Sequence, residues 1–155
     1  MANSNFKSSG FHSLTPSLTL RDAAAGIEFY KRAFGAVEHY RLSGPDGRIM
    51  HAEIQIGDSV LLCNDEMPEW DALSPLSIGG NGSSLMIYVE DADAVFAQAV
   101  TAGATAVRPP TDQFWGDRSG QVKCPFGYKW SIATHKEDVS KDEIVRRFAA
   151  WKPQE

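Results

Sequence analysis

The sequence predicts an α+β fold in which two βαβββ modules form one cupped, eight-stranded mixed sheet, followed by a C-terminal helix. The first observation is an internal repeat: residues 18–35 and 87–103 each indicate a strand, an acidic residue and a helix that ends at glycine. The second is that short segments of alternating polar and apolar residues follow each glycine. Pairing two such modules leaves a concave surface on which a small molecule can bind.

The ends of the predicted helices carry recognisable capping residues. Asp22 precedes the first helix, and Asp91 or Asp93 precedes the second, where a carboxylate accepts hydrogen bonds from unpaired backbone N–H groups. Gly35 and Gly103 follow the last turns, as expected for residues that end a helix in the left-handed conformation. Both modules therefore have a defined helix.

Composition shifts divide the chain into five segments. These are a disordered N-terminus (1–10), module one (about 11–66), a linker rich in Pro, Gly and Ser (67–83), module two (about 84–138) and a C-terminal segment (139–155). Residues 11–138 form a single domain. Ser140 and Glu143 make a capping-box pattern that begins the C-terminal helix, whose apolar side carries Ile144, Phe148 and Trp151.

Charge and composition exclude several classes of function. The chain has 155 residues and a net charge of -5, without a basic stripe that would neutralise nucleic-acid phosphates. No apolar run is long enough to cross a membrane and no signal-peptide pattern is present, so we expect a cytoplasmic protein. Cys63 and Cys124 lack metal or redox spacing, and we expect buried free thiols.

Alternation along the strands separates a face under the helices from a face toward the concave surface. Leu14, Leu18 and Leu20 should be buried under the first helix. The strand residues expected on the concave side are Thr15, Ser17, His51, Glu53, Ser84, Met86, Tyr88 and Ser131.

His51 and Glu53 project together from the third predicted strand, and their pairing leaves several readings open. They are residues of a solvated strand face, a hydrogen-bonding pair that orients a ligand, a general base with its orienting carboxylate, or two ligands of a metal ion. The interpretation as metal ligands requires a third and a fourth donor side chain, and the sequence does not clearly place such donors near them.

A second concentration of chemistry lies in the loop of residues 112–120. Phe114 and Trp115 are adjacent large aromatics in a polar, glycine-containing connection, which indicates that at least one covers something apolar. One interpretation is that Asp117 and Arg118 fix this loop as a turn, and the alternative is that Trp115 forms a pocket wall or lid.

Several motifs together resemble the vicinal oxygen chelate superfamily, the glyoxalase, bleomycin-resistance and extradiol dioxygenase group, and more narrowly its PhnB-like members. They are Thr15-Pro16-Ser17-Leu18 with Asp22, Phe29-Tyr30-Lys31-Arg32-Ala33-Phe34-Gly35, His51-Ala52-Glu53-Ile54 with Ile56-Gly57-Asp58, Phe114-Trp115-Gly116-Asp117-Arg118, and Pro125-Phe126-Gly127-Tyr128-Lys129-Trp130. The resemblance covers about residues 12 to 137.

The resemblance also implies where a metal would bind. Metal-dependent members carry His, Gln or Glu on the first, fourth, fifth and eighth strands, and the corresponding positions here are Thr15, Leu62, Ser84 and Ser131. One leucine and three hydroxyls do not replace the hydration shell of a divalent ion, so we expect no metal cofactor at these positions.

The resulting expectation is a homodimeric, metal-free protein that binds or sequesters an aromatic or cationic small molecule. Its expected ligand-binding residues are Thr15, Ser17, His51, Glu53, Leu62, Ser84, Met86, Tyr88, Phe114, Trp115, Arg118 and Ser131. The alternative is a lyase-, isomerase- or hydrolase-type enzyme in which His51 and Glu53 act as catalytic acid/base or hold a non-standard divalent metal. A third possibility is a partner protein that uses the C-terminal helix as an interface.

Overall fold

The computed structural model describes residues 6–153. Its elements follow in this order: β1 (Ser17–Leu20), α1 (Ala23–Phe34), β2 (Val37–Ser43), β3 (Ile49–Ile56), β4 (Ser59–Asp65), a 3-10 helix (Pro68–Trp70), α2 (Pro75–Ile78), β5 (Ser84–Tyr88), α3 (Ala92–Ala102), β6 (Thr105–Asp112), β7 (Asp117–Lys123), β8 (Lys129–His135) and α4 (Lys141–Ala150). Of the N-terminal segment expected to be disordered, residues 1–5 lie outside the described residues, and residues 6–10 form bends and turns.

The eight strands form two four-stranded mixed sheets, one in each module, rather than the single eight-stranded sheet expected from the sequence. Sheet 1 has the order β1-β4-β3-β2 and sheet 2 the order β5-β8-β7-β6. In each sheet the first pair is parallel and the other two pairs are antiparallel. The α+β fold with two βαβββ modules and a C-terminal helix is thereby confirmed.

The chain divides into two compact units. Unit 1 extends to Gly82 and also includes Pro125–Tyr128, and unit 2 comprises Ser83–Cys124 and continues from Lys129. The turn at residues 125–128, which the sequence assigns to module two, therefore packs with unit 1. The Phe126 ring lies 6.1 Å from that of Phe29, and the Tyr128 hydroxyl donates to the Thr19 carbonyl at 3.0 Å.

In unit 1, α1 covers one face of sheet 1. The Asp22 carboxylate accepts a hydrogen bond from the Ala25 N–H, as expected for its N-cap, and Gly35 ends the helix with φ of 66°. The buried side chains Ile27, Phe29 and Tyr30 supply the apolar stripe that packs on the sheet. Leu14 was expected in this core, but it is 87% exposed because it precedes β1 and is outside the strand alternation.

In unit 2, α3 covers one face of sheet 2. Asp91, rather than Asp93, is the N-cap and accepts from the Ala94 N–H at 3.0 Å. The buried side chains beneath the helix include Val122, Trp130 and Ile132. These residues fix which face of sheet 2 is apolar, and the opposite face carries the residues of functional interest.

The segment expected to be a linker is structured. Met67 and Ala72 form an isolated antiparallel bridge around the 3-10 helix, and α2 follows. Ser74 is fully buried, and its N–H donates to the Glu66 carboxylate at 2.8 Å. Short helical turns thus replace the plain loop that the Pro-, Gly- and Ser-rich composition predicts.

The C-terminal helix α4 begins with the predicted cap, since the Ser140 hydroxyl accepts from the Glu143 N–H. Arg147 connects it to the segment after β8 by pairing with Glu137, and it also forms an i,i+4 pair with Glu143 within the helix. No helix in residues 6–153 is both long and apolar enough to pass through a bilayer.

Candidate functional site

We call the face of each sheet opposite its own helix the open face. On sheet 1, strand register places Ser17, Leu62, Glu53 and Tyr40 in one row from β1 to β2. In an antiparallel pair, directly opposed residues point to the same side, so these four side chains share the open face. Three of them, Ser17, Leu62 and Glu53, are residues expected from the sequence to meet a ligand.

Glu53 is the centre of this row. The Tyr40 hydroxyl donates to its Oε1 at 2.8 Å, and Nε2 of His51 lies 3.3 Å from the same oxygen. The Tyr40 and His51 rings are 5.7 Å apart, and hydrogen bonding to Glu53 raises the pKa of Tyr40. We call Tyr40, His51 and Glu53 the Glu53 cluster.

In the described part of the chain, the Glu53 carboxylate is held through one of its two oxygens. Its side chain is 15% exposed and that of His51 is 34% exposed. Within residues 6–153, Oε2 of Glu53 accepts no hydrogen bond from another side chain or from the backbone. The cluster therefore presents an oriented carboxylate oxygen that still has its hydrogen-bonding capacity.

Exposed apolar side chains lie in the rows on either side of this carboxylate on the open face of sheet 1. Val37 pairs with Gln55, and Leu42 pairs with His51, so both lie on the Glu53 side of the sheet. Their exposed fractions are 61% and 56%, and that of Tyr40 is 45%. A few polar groups among exposed apolar side chains are typical of small-molecule binding surfaces.

The open face of sheet 2 carries the second group of predicted residues. Met86, Ser131 and Gln121 lie in one row across β5, β8 and β7, and Tyr88 and Ala133 lie in the next. Ser84 pairs with Lys129 at the beginning of β5 and is exposed. Met86 is 50% exposed and Tyr88 62% exposed, so both present side-chain surface on this face.

A cluster centred on Asp117 lies at one end of sheet 2. The Tyr88 hydroxyl and the Trp115 indole N–H donate to Oδ2 of Asp117 at 2.8 and 3.1 Å. Nδ1 of His135 lies 2.9 Å from Oδ1, and Nε2 of the same ring lies 2.8 Å from Oδ1 of Asp138. We call Tyr88, Trp115, Asp117 and His135 the Asp117 cluster.

Asp117 is 4% exposed and is the buried carboxylate among the described residues. Burial opposes its ionisation, but hydrogen bonds from His135, Tyr88 and Trp115 outweigh that effect and hold the pKa of Asp117 below its usual value. Asp117 and Asp138 in turn raise the pKa of His135. The hydrogen bond to Asp117 also raises the pKa of Tyr88.

The structure does not bring Phe114 and Arg118 to the open face. Arg118 lies on the helix side of β7, where its guanidinium pairs with Asp93 of α3 and with Asp112. The Phe114 ring packs against Phe148 and Trp151 of the C-terminal segment, with ring centroids 5.5 and 5.9 Å away. Both side chains therefore have structural partners away from the open face, and their expected ligand contacts stay a prediction.

Thr15 also differs from the expectation. It lies before β1, and its hydroxyl donates to the His12 carbonyl at 3.0 Å. Its oxygen is therefore used in a local turn rather than presented from a strand.

The donors at the superfamily's metal positions do not fit a divalent ion. Leu62 offers no donor, and the hydroxyls of Thr15, Ser84 and Ser131 are neutral and bind divalent cations weakly. In the part of the chain that the structure describes, no group of three or more His, Cys, Asp or Glu side chains could hold a metal ion.

The sequence patterns did not predict two side chains of these clusters, Tyr40 and His135. A register shift between Glu38 and Tyr40 interrupts the alternation of β2, so counting by twos from Val37 assigns Tyr40 to the wrong face. His135 reaches Asp117 only because β7 and β8 pair these two residues. The sequence does show an aspartate and a histidine at the ends of predicted strands, but it does not show the strand register that pairs them.

Two βαβββ units in one chain, each with a helix on one face of its four-stranded sheet, define a class of α+β proteins built from two βαβββ modules. Within that class, a family model described as the Glyoxalase/Bleomycin resistance protein/Dioxygenase superfamily matches residues 11–132. The chain belongs to this vicinal oxygen chelate superfamily.

Individual proteins from other organisms are similar to this chain. The uncharacterized protein Rv0887c of Mycobacterium tuberculosis is 42% identical over 134 residues, covering 84% of this chain and 79% of its own length. The crystal structure of the Arabidopsis thaliana At5g48480 product is similar with a TM-score of 0.63 at 28% identity, covering 79% of this chain and 98% of that one.

A third similarity is to a Bacillus cereus PhnB protein, described as a putative 3-demethylubiquinone-9 3-methyltransferase. Its TM-score is 0.61 at 16% identity, covering 79% of this chain and 99% of that one. At this identity the likeness shows the fold alone.

Proposed function

We propose that this protein binds, and by binding sequesters, a small molecule that carries a positive charge next to an apolar or aromatic group, without using a metal. The observation that supports this function is the Glu53 carboxylate, which Tyr40 orients and whose Oε2 accepts no hydrogen bond from residues 6–153. Exposed apolar side chains beside it offer contact surface for the rest of the molecule. Sequestration needs affinity but no catalytic group.

Electrostatics favour a cation at this position. A hydrogen bond that involves a charged partner contributes about 1.5 to 3 kcal/mol, which is more than a neutral pair contributes. Tyr40 fixes the carboxylate before the ligand arrives, so less side-chain freedom is lost on binding. The net charge of -5 also attracts cations over a longer range.

The test uses a planar cation, thioflavin T, and its uncharged analogue 2-phenylbenzothiazole. Calorimetric titration should show tighter binding of the cation, with a rise in the thermal midpoint and with the ligand recovered unchanged. Glu53→Gln should weaken cation binding about tenfold or more. Equal affinity for both molecules in the wild-type protein would contradict the proposal.

Glu28→Gln is the matched control. It makes the same chemical change and the same change in net charge in the same unit, but Glu28 lies on α1 and pairs with Lys31. Its binding should equal that of the wild-type protein. A similar loss in both variants would indicate general charge attraction instead of a site at Glu53.

A second candidate function is an enzyme of the lyase, isomerase or hydrolase type. It is favoured by the contact of 3.3 Å between His51 and Glu53, which is the arrangement of a general base and the carboxylate that orients it. Turnover of a carbonyl-containing or epoxide-like compound that disappears in folded His51→Ala would support it. Recovery of such compounds unchanged by the wild-type protein would argue against it.

A non-standard metal site at His51 and Glu53 belongs to this alternative. Elemental analysis of protein purified without chelator, with nickel, zinc or manganese added, tests it directly. One ion per chain that is lost in both His51→Ala and Glu53→Ala would favour a metal-dependent enzyme over sequestration.

We also propose a homodimer of the PhnB-like type that acts in the cytoplasm. The His51-Ala52-Glu53 and Phe114-to-Arg118 motifs support the subgroup. The exposed Val145, Phe148 and Trp151 side chains support an association through the C-terminal segment. Sedimentation of the full chain and of Phe148→Ala tests this, because an unchanged dimer in the variant would exclude that contact.

A further inference from the structure

The Tyr88 hydroxyl has its proton committed to a buried anion. It donates to Oδ2 of Asp117 at 2.8 Å, and Asp117 is 4% exposed. A phenol has one hydrogen to donate and lone pairs that accept. An ionised carboxylate can only accept hydrogen bonds, so the direction of this hydrogen bond is fixed. The Tyr88 oxygen can therefore only accept a hydrogen bond from a further partner.

The rest of the Asp117 cluster holds this arrangement in place. The Trp115 N–H donates to the same oxygen as Tyr88, and His135 occupies the other oxygen. Three donors from β5, from the turn before β7 and from β8 therefore converge on one carboxylate. A network satisfied in this way is rigid, and it keeps the exposed Tyr88 ring in one orientation.

The surface beside Tyr88 suits a flat ring. Met86 lies two residues earlier on the same face of β5 and is 50% exposed, while Tyr88 is 62% exposed. Both side chains offer polarisable, apolar contact to an aromatic molecule. The Asp117 carboxylate oxygen lies 2.8 Å from the phenol oxygen, so its negative charge favours a hydrogen-bond donor on the incoming ring.

We propose that Tyr88, positioned by Asp117, accepts a hydrogen bond from the ring N–H of a planar heteroaromatic ligand on the open face of sheet 2. This second site extends the proposed function to unit 2 and rests on it only for the idea that the protein binds small molecules. Tyr88 contacts the ligand, and Asp117 is a positioning residue.

The test uses a pair of neutral ligands, indole and 1-methylindole, which differ in whether the ring nitrogen carries a hydrogen. Titration followed by two-dimensional amide NMR should show the largest shifts in β5 and β8. Indole should bind about fivefold tighter than 1-methylindole to the wild-type protein, which is the effect of one net hydrogen bond. In Tyr88→Phe the two affinities should become equal while the ring surface remains.

Tyr128→Phe is the matched control. It also removes one tyrosine hydroxyl, but that hydroxyl donates to the Thr19 carbonyl in unit 1 and not to Asp117. It should keep the fivefold ratio. Asp117→Asn, which retains an acceptor for Tyr88 without the charge, should give a smaller ratio than the wild-type protein. If the wild-type ratio is one, or if the ratio survives in Tyr88→Phe, the inference is wrong.

The outcome is separable from that of the proposed function. Indole and 1-methylindole are uncharged, so Glu53→Gln should not change their ratio. Loss of thioflavin T binding in Glu53→Gln with an indole ratio of one would retain the Glu53 site and overturn the Tyr88 site. The reverse pair of results would do the opposite.

Discussion

Each unit joins a tyrosine, a carboxylate and a histidine, but the two clusters differ in how completely the carboxylate is satisfied. Among the residues that the structure describes, Glu53 accepts from Tyr40 and lies near His51 through one oxygen, and its second oxygen accepts no hydrogen bond. Asp117 receives Tyr88, Trp115 and His135 on both oxygens and is buried. The first arrangement suits direct contact with a ligand, and the second suits support of the side chains around it.

This difference predicts unequal costs of removing the two carboxylates. Asp117→Ala should lower the free energy of unfolding by about 3 kcal/mol, because it leaves donors from three side chains without their charged acceptor. Glu53→Ala should cost less than about 1 kcal/mol, since Tyr40 is 45% exposed and can turn to water. Urea unfolding followed by circular dichroism measures both, and equal losses would remove the distinction between the clusters.

The turns beside the two clusters provide a second contrast. Gly116, at φ of 103°, precedes Asp117, and a β-carbon there would overlap the Glu137 carbonyl oxygen. Gly57, at φ of 58°, follows β3, and a β-carbon would meet nothing within 4 Å. Gly116→Ala should therefore destabilise the protein by about 2 kcal/mol more than Gly57→Ala, which carries mainly the cost of a left-handed alanine.

The difference in unfolding free energy between the two variants is obtained from urea unfolding, as the difference between their midpoints multiplied by a common m-value. A smaller loss at Gly116 than at Gly57 would show that the turn of residues 113–116 yields easily. The Asp117 cluster would then be a flexible arrangement, and its proposed positioning of Tyr88 would fail with it.

The clusters should also differ in pH dependence. Both nitrogens of the His135 ring face carboxylates, Asp117 and Asp138, and both contacts require a protonated ring. The folded-state pKa of His135 is raised above its ordinary value of 6.5, so its stabilising effect is fully present below that value and is lost as pH rises through the folded pKa.

Thermal midpoints of the wild-type protein and of His135→Asn, measured from pH 5.5 to pH 9, check this expectation. The difference between them should be largest at the acidic end and should shrink above the ordinary histidine pKa of about 6.5. A constant difference would show that His135 stays neutral and donates to Asp117 alone. In a second series at lower pH, protonation of the Asp117 carboxylate should destabilise both proteins as pH falls below the ordinary aspartate pKa of 3.8.

The fold was predictable from the sequence because its signals are local. Asp22, Asp91 and Ser140 cap helices as their positions indicate, and the strand alternation of residues 51–54 matches the burial of Ala52 and Ile54. Such patterns depend on backbone geometry within a few residues.

The candidate site was predictable only in part. The pairing of His51 with Glu53 follows from their spacing of two on one strand, whereas Tyr40 is reached across a register shift in β2. The contact between Asp117 and His135 depends on strand register, and the packing of Phe114 on α4 depends on tertiary structure. Neither follows from local periodicity.

The smallest expected effect tests whether Tyr40 supports the Glu53 carboxylate or merely contacts it. Tyr40→Phe keeps the ring beside His51 and removes the hydroxyl that donates to Oε1. The thermal midpoint should stay within about 2 °C of the wild-type value, because the lost hydrogen bond is partly exposed. Thioflavin T should nevertheless bind about two- to threefold more weakly, since an unheld carboxylate must be ordered when the cation arrives. Unchanged affinity would mean that the backbone and β3 alone orient Glu53, whereas a loss equal to that of Glu53→Gln would mean that the hydroxyl itself contacts the ligand.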